Sequence, residues 1–319
     1  MNSPLVYIII LNWNGYKDTT TCLESILQLE YYNYKVVICD NDSSDNSVSK
    51  IIKWSKHKSI KIDYLEYAQG LEKALKNHKH SNILLIQTGK NLGFAGGNNI
   101  GIRYALLDEH CQYVWILNND TIVDSKSLKS LVIRTEQDKD IGICGSRLLD
   151  YHDLSKVQAW GGAKYNVWSG TVKHIGYGKS AQEHPDIEMI EKSMTYVIGA
   201  SMLVSRNFLE KIGLMNEKYF LYYEEIDWAT RAKGYYKMAY AHDSIVYHKE
   251  GGSTDGRRDS CSYIADYHAK KSRLIFTKTY YPLSLPIIYI RMFGAIFNRI
   301  IKRQYNRVFM ILRLMLTTN

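Results

Sequence analysis

Short runs of nearly continuous apolar residues recur along the chain, and each is followed by a polar cluster and then by an amphipathic segment. The clearest runs cover residues 6–11, 35–39, 83–86 and 113–117. Strands that are apolar throughout, rather than alternating with polar residues, predict a sheet covered on both faces. Their alternation with helices predicts an α/β fold, in which helices flank a mostly parallel, doubly wound sheet.

The stretch from residue 91 to 120 is the most informative part of the chain. It predicts a glycine-rich turn, a helix over residues 97–108 and a buried strand that ends in Asn118, Asn119 and Asp120. Open α/β sheets bind ligands at the carboxyl ends of their strands. The polar cluster at the end of this strand therefore marks the expected site.

Other segments have weaker patterns. Residues 54–81 are rich in Lys and His, and Leu71 and Leu75 favour a surface helix there. Residues 149–191 are rich in Gly, Tyr and Trp, which is typical of irregular hairpins over a site. Residues 244–248 predict a last short strand.

Composition and cysteine use restrict the class of protein. The 319 residues are 45% hydrophobic with four prolines, so the chain is globular and not disordered. Five cysteines are scattered without a C-x-x-C pair, and no N-terminal signal peptide is apparent. A reduced, cytoplasmic location is therefore expected.

Charge is unevenly distributed. The net charge is +9, but ten Lys and Arg residues follow Asp266 and no acid does, which leaves residues 1–266 at −1. A nearly neutral body with a basic tail argues against nucleic acid as a partner and favours a local electrostatic role for the tail.

Two acids follow apolar runs directly. A carboxylate in the place of Asp40 can accept the imide N–H of uracil or thymine, a donor that cytosine lacks. A turn or helix cap is the alternative role. Asp120 can hold Mg²⁺ or Mn²⁺, which often take one or two carboxylates and complete their shell with phosphate and water. A cap for the following helix is the alternative there.

The glycines of the turn do not form a dinucleotide-binding motif. Gly93, Gly96 and Gly97 lack the G-x-G-x-x-G spacing, and no G-x-x-x-x-G-K-[ST] occurs in the chain. Backbone N–H groups in such a turn can approach a phosphate or a ribose. Tight packing of a helix on the sheet is the alternative.

Glu224, Glu225 and Asp227 place three acids within four positions. Repulsion between neighbouring carboxylates raises a pKa and suits a general base. The same run suits a helix N-terminus, and both roles are compatible. His248 ends the predicted last strand and could bind a metal, although a lone His is more often a hydrogen-bonded residue.

The basic tail is amphipathic. Arg291, Lys302 and Arg313 recur every eleven residues, which is about three helical turns. Opposite them lies an apolar side made of Ile288, Phe293, Ile296, Phe297, Ile300, Met310, Ile311 and Leu314. The pattern over residues 282–316 is typical of helices in an anionic membrane interface. No window of about 18 uncharged apolar residues exists, so a transmembrane span is not expected. A helical pair packed on the body or on a second subunit is the alternative.

Six stretches occur in an order that resembles one enzyme family. They are residues 9–15, 37–45, 91–99, 117–120, 223–227 with Arg231, and His248 with Gly251 and Ser253. Together they resemble the family 2 glycosyltransferases of GT-A fold, particularly the rhamnosyltransferase-like branch. Each motif alone is weak, whereas six in the order of the family are a specific signal.

The resemblance implies an inverting transfer from a nucleotide-sugar. Asp120 would hold Mg²⁺ or Mn²⁺ on the diphosphate, with His248 as a second metal ligand, and Asp40 would contact the base. Glu225 stands where the family carries its catalytic base, usually Asp, and would deprotonate the acceptor hydroxyl. The metal would stabilise the leaving diphosphate, so a single in-line displacement would invert the anomeric carbon.

The resemblance also assigns binding residues. Those expected at the nucleotide-sugar are Asn12, Asn14, Asp40, Asp42, Asn91, Gly96, Gly97, Asn98, Asn118 and Asn119. Those expected at the acceptor are Glu224, Asp227, Trp228 and Arg231. The chain departs from the family pattern at two of these positions: Asn118 replaces the first acid of D-x-D, and Asp42 replaces a glycine.

We therefore expect a catalytic domain over residues 1–255, with a nucleotide-binding half to about residue 120 and an acceptor-binding half over 121–255. A helical basic tail would follow over residues 256–319. The donor would be dTDP-rhamnose or a UDP-hexose, and the acceptor a glycan or lipid-linked sugar in cell-surface polysaccharide synthesis. The protein would be peripheral on the inner face of the cell membrane, and a homodimer is left open.

Two other functions compete with this one. A nucleotide-sugar-binding protein without transfer activity remains an alternative. A nucleotidyltransferase is disfavoured, because the first strand lacks the glycine-rich, Arg-containing loop that such enzymes use on triphosphates.

Overall fold

The computed structural model describes residues 3–72, 81–249 and 262–317. Its strands are β1 (Leu5–Asn12), β2 (Tyr34–Asp40), β3 (Asp63–Glu66), β4 (Ile83–Gln87), β5 (Cys111–Asn118), β6 (Thr121–Val123), β7 (Ile141–Asp150), β8 (Val157–Trp160), β9 (Gly162–Asn166), β10 (Thr171–His174), β11 (Tyr196–Val197), β12 (Ser201–Ser205) and β13 (Lys237–His248). Its helices are α1 (Tyr16–Ile26), α2 (Ser47–His57), α3 (Gly93–Leu106), α4 (Ser127–Glu136), α5 (Ile187–Ser193), α6 (Arg206–Ile212), α7 (Glu224–Ala232), α8 (Tyr263–Tyr280), α9 (Leu285–Ile301) and α10 (Tyr305–Thr317).

One large sheet positions the site. Its strand order is β3-β4-β2-β1-β5-β12-β7-β13-β6, with β8 paired to β7. The first five strands of this order are parallel, β12 runs antiparallel to both neighbours, and β13 is parallel to β7. A second, antiparallel sheet has the order β10-β9-β11. The predicted α/β fold with a mostly parallel sheet is confirmed.

The sheet is covered on both faces, as the apolar runs predicted. Along β1, Tyr7 and Ile9 lie in the core on one face of the sheet. Val6, Ile8 and Ile10 lie in the core on the other face. Side chains alternate across a strand, so a strand buried on both sides needs apolar residues at every position.

Helix α3 packs on the sheet through glycines. A Cβ added at Gly97 would lie 2.3 Å from Leu11 Cδ1, and one added at Gly101 would lie 2.6 Å from Ile9 Cγ2. The helix begins at Gly93, four residues before the predicted start. Gly93 has a φ of +70° and donates its N–H to Asn91 Oδ1 at 3.0 Å, which fixes the entry of the helix.

Two predicted elements differ from the structure. The weak segment 54–81 contains a strand, β3, that the sequence did not show, and Leu75 lies outside the described residues. The last strand has twelve residues, not five, and its pairing with β7 shifts register between Ala241 and Ile245. The bulge carries polar residues, which hid the first half of the strand.

A buried acid joins the tail helices to one another, and an aromatic contact packs them on the body. Asp266 on α8 forms ion pairs with Lys270, Arg299 and Arg307, so it links α8 to α9 and α10. Phe276 of α8 packs edge-to-face against Tyr165 of β9. The alternative of a tail packed on the body therefore holds in part, and the predicted boundary at residue 255 lies outside the described residues.

The predicted apolar side of the tail is divided. Ile288, Ile296, Met310, Ile311 and Leu314 are buried between the helices, whereas Phe293, Phe297 and Ile300 are exposed. By length and composition, one helix among the described residues, Pro282–Ile301, could cross a membrane, and 22% of its most apolar window is buried. Arg291 and Arg299 lie in this helix, so the statement that no uncharged apolar window of about 18 residues exists still holds, and the absence of a transmembrane span stays a prediction.

Candidate active site

The carboxyl ends of three neighbouring strands bring the polar clusters together. In the parallel register of β1, Asn12 lies opposite Asp40 of β2, and Leu11 lies opposite Asn118 of β5. Adjacent strands are about 4.8 Å apart, so the ends of β2 and β5 are separated by roughly 10 Å. The clusters after Asp40 and Asn118 thus lie at one edge of the sheet.

Asp40 is the centre of a buried hydrogen-bond network. Its side chain is 0% exposed, and it accepts bonds from Asn12 Nδ2 at 2.7 Å and from the N–H and hydroxyl of Ser43 at 3.0 and 2.7 Å. Asn12 Oδ1 in turn accepts from Thr19 at 2.7 Å. These contacts favour the turn-capping role of Asp40 over its predicted contact with the base, because its oxygens already have donors and the side chain is not at the surface.

The turn after β2 explains the acid that replaces a glycine. Asp42 is exposed and has a φ of +63°, in the left-handed region that favours glycine and that Asp tolerates better than most residues. Asn14 Oδ1 accepts the N–H groups of Ser44 at 2.8 Å and Asp45 at 3.2 Å. Asn14 therefore fixes this turn, which is held at the sheet edge with Asp42 exposed.

Asn41 connects β2 to the glycine-rich turn, and sequence reasoning missed it. Its Nδ2 donates to Asn91 Oδ1 at 2.9 Å and to the Gly93 carbonyl at 3.1 Å, while its Oδ1 accepts the Leu92 N–H at 2.9 Å. Asn91 is thereby placed at the sheet edge.

Three residues predicted to contact the nucleotide-sugar, Gly96, Gly97 and Asn98, lie inside helix α3. Asn98 is 1% exposed and donates to the Phe94 carbonyl at 3.0 Å, and a Cβ at Gly96 or Gly97 would meet Leu92 or Leu11. The early start of the helix at Gly93 turns these three positions towards the protein. Their predicted contact with a nucleotide-sugar is therefore opposed by their packing.

Asp120 and His248 face each other at the same edge. His248 Nε2 lies 3.3 Å from Asp120 Oδ1, and His248 Nδ1 lies 2.7 Å from Gln158 Oε1. The pairing of β13 with β6 sets this contact, since His248 is the partner of Thr121. When Nδ1–H donates to Gln158, the Nε2 lone pair points towards the carboxylate.

This pair fits a divalent cation. An imidazole lone pair and a carboxylate oxygen at 3.3 Å repel each other unless a cation, either a proton on the ring or a metal ion, compensates them. A metal-bound His commonly donates its other N–H to an oxygen, as His248 can to Gln158. Among the described residues no third His, Cys, Asp or Glu joins the pair. The remaining positions would fall to substrate oxygens and water.

Asn118 and Asn119 have different burial and different hydrogen-bond partners. Asn119 is buried, and its Nδ2 donates to Thr19 at 3.1 Å, so it belongs to the network around Asn12 and does not face a ligand. Asn118 is half-buried at the end of β5, and its N–H donates to the Ala200 carbonyl at 3.0 Å. Asn118 thus connects the sheet edge that bears Asp120 to the segment before β12.

Glu225 lies beside that same segment. Its Oε1 accepts the Gly199 N–H at 3.2 Å, one residue before the Ala200 that Asn118 binds. A Cβ on Gly199 would come within 2.3 Å of this oxygen, so the position leaves no room for a side chain. The carboxylate of Glu225 is therefore held next to the end of β5, close to the Asp120 cluster.

The two adjacent glutamates both have raised pKa values, and burial is the main cause. Glu224 is 2% exposed, and its Oε2 is buried without a partner among the described residues. Burial, and then the neighbouring charge of Glu225, raises the pKa of Glu224 well above its usual value. Burial also raises the pKa of Glu225, although the Gly199 N–H acts against this. Carboxyls with raised pKa values are suited to accept and hold protons.

The backbone before helix α7 is strained. Tyr222 and Tyr223 have φ values of +67° and +78°, and each such residue costs about 1–3 kcal/mol. The Tyr223 hydroxyl donates to the Gly170 carbonyl at 3.4 Å and accepts from Arg273 Nε at 3.1 Å. On the other side, the Phe94 N–H donates to the Phe220 carbonyl at 2.7 Å. Contacts from α8, the β9–β10 turn and α3 thus hold the glutamates in place.

Asp227, Trp228 and Arg231 are positioning residues, and their prediction as acceptor contacts is corrected. Asp227 and Trp228 are fully buried, and Trp228 Nε1 donates to the Gly213 carbonyl at 2.8 Å. Arg231 binds Asp227 at 2.7 Å and caps the Ile212 carbonyl at 2.6 Å. Asp227 and Trp228 thus anchor α7 and leave no surface for an acceptor, whereas Arg231 is half-buried and held by contacts inside the protein.

Gln158 and Gly199 also belong to the site, although the sequence did not predict them as site residues. Gln158 lies on β8, which the sequence did not show as a strand, and it has no charge to mark it. Gly199 contributes a backbone N–H, a group that every residue but proline has. No local signal could have found either residue, because both act through contacts between distant segments.

Comparisons with known proteins identify the family. The family model described as "Glycosyltransferase like family 2" matches residues 3–262. The low-salt glycan biosynthesis hexosyltransferase Agl10 of Haloferax volcanii is 30% identical over 155 residues, 48% of this chain and 47% of that protein. The N-acetylglucosaminyl-diphospho-decaprenol L-rhamnosyltransferase of Mycobacterium tuberculosis is 24% identical over 213 residues, 62% of this chain and 67% of that protein.

A third relative comes from Escherichia coli. Its UDP-Glc:alpha-D-GlcNAc-diphosphoundecaprenol beta-1,3-glucosyltransferase WfgD is 27% identical over 162 residues, 47% of this chain and 62% of that protein. The matched parts of the Haloferax and Escherichia proteins are thus less than two thirds of their lengths.

Solved structures show the same fold. GalNAc-T7 with UDP, GalNAc and Mn²⁺ has a TM-score of 0.59 at 14% identity, over 87% of this chain and 48% of that one. The mannosyltransferase PcManGT from Pyrobaculum calidifontis, in complex with GDP-Man and Mn²⁺, has a TM-score of 0.55 at 13% identity, over 99% of this chain and 86% of that one. Both are glycosyltransferases of GT-A fold. With a family match over most of its length and this fold, the chain belongs to the family 2-like glycosyltransferases.

Proposed function

We propose that the protein is a metal-dependent, inverting glycosyltransferase that moves a sugar from a nucleotide-sugar to a hydroxyl of an acceptor. The observation that carries this proposal is the position of Glu225, whose carboxylate is held by Gly199 next to the strand end that bears Asp120. A base and a diphosphate site at one edge are what a single displacement requires.

Each group of residues has its own role in the proposed transfer. Glu225 would accept the proton of the attacking hydroxyl, and its burial beside Glu224 keeps its proton affinity high enough for that task. Asp120 and His248 would hold Mg²⁺ or Mn²⁺, with Gln158 fixing the imidazole. When bound, such an ion offsets the negative charge that develops on the leaving diphosphate. The networks around Asn12 and Asn41 would keep the turns at the nucleotide rigid.

The names of the relatives support the proposed donor and acceptor classes. The Escherichia and Mycobacterium proteins carry names that specify sugars on a polyprenol diphosphate, and the dTDP-rhamnosyl transferase RfbF of Shigella flexneri matches 74% of this chain. We propose dTDP-rhamnose or a UDP-hexose as donor and a lipid-linked sugar as acceptor, in the synthesis of a cell-surface glycan.

The tail offers a surface for a membrane. On α9, Phe293 and Phe297 are 57% and 64% exposed, and Ile290 and Ile301 lie on the same side. Arg291, also exposed, flanks this side of the helix. An apolar helix face bordered by basic residues suits the interface of an anionic membrane. We propose that this face places the protein on the inner face of the cell membrane.

A donor screen tests the proposed activity. The full chain is titrated with a panel of dTDP- and UDP-sugars, with and without Mn²⁺, and its melting temperature is measured. We expect one donor to raise the melting temperature only when Mn²⁺ is present. The same donor should then label a sugar carried on a polyprenol diphosphate. Binding of the donor without transfer to any such acceptor would instead support the nucleotide-sugar-binding alternative.

Vesicle flotation tests the membrane face. Wild-type protein should float with vesicles containing anionic phospholipid, and Phe293→Ser/Phe297→Ser should remain in solution. Ile133→Ser/Leu154→Ser removes two other exposed apolar side chains and should float like wild type. Equal flotation of all three proteins would contradict the proposed face.

A further inference from the structure

An open cavity of about 450 Å³ lies beside the three-stranded sheet. Lys164 and Asn166 of β9, Thr171 and Lys173 of β10, and Thr195 before β11 are among its lining residues. No lining residue is acidic. The cavity is separate from the Asp120 and Glu225 positions, and no step of the proposed transfer uses it.

The two lysines of the cavity are directly opposite each other. Lys164 and Lys173 are cross-strand partners in the antiparallel pairing of β9 and β10, and both are exposed. Like charges in this arrangement destabilise a sheet. Among the described residues neither lysine forms an ion pair with an acid. The cavity therefore presents two uncompensated positive charges, which is complementary to a ligand with two negative charges.

The cavity lies near the segment that holds the proposed base and, at its other end, near helix α9. Thr195 is four residues from Gly199, which holds Glu225, so the two positions are at most about 13 Å apart. On the other side, Thr171 follows Gly170, where an added Cβ would lie 2.9 Å from Ile288 Cδ1 of α9. Ile288 is on the buried side of α9, so a ligand in this cavity would lie between that helix and the segment that holds Glu225.

We propose that Lys164 and Lys173 bind the diphosphate of an acceptor in which a sugar is joined to a lipid through that diphosphate. The lipid would leave along α9, and the sugar would extend towards Glu225. This inference rests on the proposed function and adds the residues that recognise the anionic part of the acceptor. Two ammonium groups on one diphosphate form charge-assisted hydrogen bonds, the strong class of such bonds.

Direct binding to the full chain tests the inference. The probes are farnesyl diphosphate, farnesol and inorganic pyrophosphate, measured in EDTA so that no metal supports diphosphate binding at Asp120. Wild type should bind farnesyl diphosphate, and Lys164→Ala/Lys173→Ala should bind it roughly 10- to 100-fold more weakly. Lys129→Ala/Lys139→Ala removes the same charge from exposed positions outside the cavity and should bind it like wild type.

The outcomes separate this inference from the proposed function. Farnesol binding should be weak and unchanged in both double variants, and pyrophosphate should bind more weakly than farnesyl diphosphate. Unchanged farnesyl diphosphate affinity in Lys164→Ala/Lys173→Ala, or pyrophosphate affinity equal to that of the lipid, would overturn the inference. Metal-dependent binding of a nucleotide-sugar, measured on the same variant, should be retained, and its absence in wild type would count against the proposed function itself.

Discussion

Asp40 and Glu225 lie at the same edge of the sheet, but their carboxylates differ in the hydrogen bonds that they accept. Asp40 is fully buried and accepts three hydrogen bonds, from Asn12 and Ser43. Glu225 accepts the Gly199 N–H through Oε1, and its neighbour Glu224 has a buried oxygen without a partner among the described residues. Both acids belong to motifs that the sequence marks as functional.

The difference shows how the hydrogen bonds of a buried acid distinguish a structural role from a role in proton transfer. A buried carboxylate whose oxygens are saturated stabilises the fold and has little capacity left for a substrate. Burial raises the pKa of a carboxyl, as it does for Glu225 although the Gly199 N–H acts against it, and such a group can take a proton from a substrate hydroxyl. The hydrogen bonds therefore favour a structural role for Asp40, and the raised pKa favours a chemical role for Glu225.

The largest effect is expected from Glu225→Gln. The amide keeps the shape of the side chain but cannot accept the proton, so turnover should fall by about 10²- to 10⁴-fold. Affinity for the donor should change by less than about threefold. Turnover and donor affinity are measured with the donor found by the thermal screen, and exposed Glu188→Gln is the control. Near-normal turnover would remove Glu225 from the chemistry.

The next largest effect concerns the metal pair. His248→Ala should raise the Mn²⁺ concentration needed for half-maximal donor binding by about 10- to 100-fold, and Gln158→Ala should have a smaller effect in the same direction. The reason is that Gln158 orients the imidazole through Nδ1. Calorimetric titration of Mn²⁺ in the presence of donor measures both. His152→Ala, an exposed histidine, serves as control, and the assignment fails if all three variants match wild type.

A stability effect should distinguish Asp40 from Glu225. Asp40→Asn places an amide N–H₂ against hydrogen-bond donors, so the free energy of unfolding should fall by about 1–3 kcal/mol. Donor affinity of the folded protein should change by less than about threefold. Chemical denaturation and donor titration are compared with those of Asp42→Asn, an exposed change in the same turn. Lost donor affinity at unchanged stability would restore the predicted contact with the base.

The smallest expected effect is a gain in stability in Glu224→Gln. Because the pKa of Glu224 is raised in the folded protein, its stabilising contribution is present at acid pH and is lost as the pH rises through that pKa. Glu224→Gln stays neutral, so its melting temperature should exceed that of wild type by a few degrees at pH 8 and by less at pH 5. Scanning calorimetry at both values measures this. A difference that does not depend on pH would contradict the account.

Much of the fold could be predicted because the signals are local. The continuous apolar run of β1 requires burial on both faces, and the structure buries Val6 to Ile10 in two cores. The end of β5 at Asn118 was also predicted, since a polar cluster after an apolar strand is visible in a few residues. The fold and the strand ends can therefore be predicted from the periodicity of apolar residues and from the polar clusters that end each apolar run.

The details of the site could not be predicted because they depend on contacts between distant segments. The start of α3 at Gly93 turned Asn98 inward, and a polar bulge hid the first half of β13. Gln158 and Gly199 reach the site through pairings across many residues. The sequence marks which residues are polar at the strand ends, but it does not show which of them already have partners.

The pH dependence of transfer tests the central claim most directly. With donor and Mn²⁺ saturating, the single-turnover rate of wild type should rise about tenfold per pH unit up to a pKa above the ordinary value of Glu, as Glu225 loses its proton. In Glu225→Gln the residual rate should lack that rise. A rise of the same size and position in the variant would show that another group takes the proton, and the proposed role of Glu225 would be wrong.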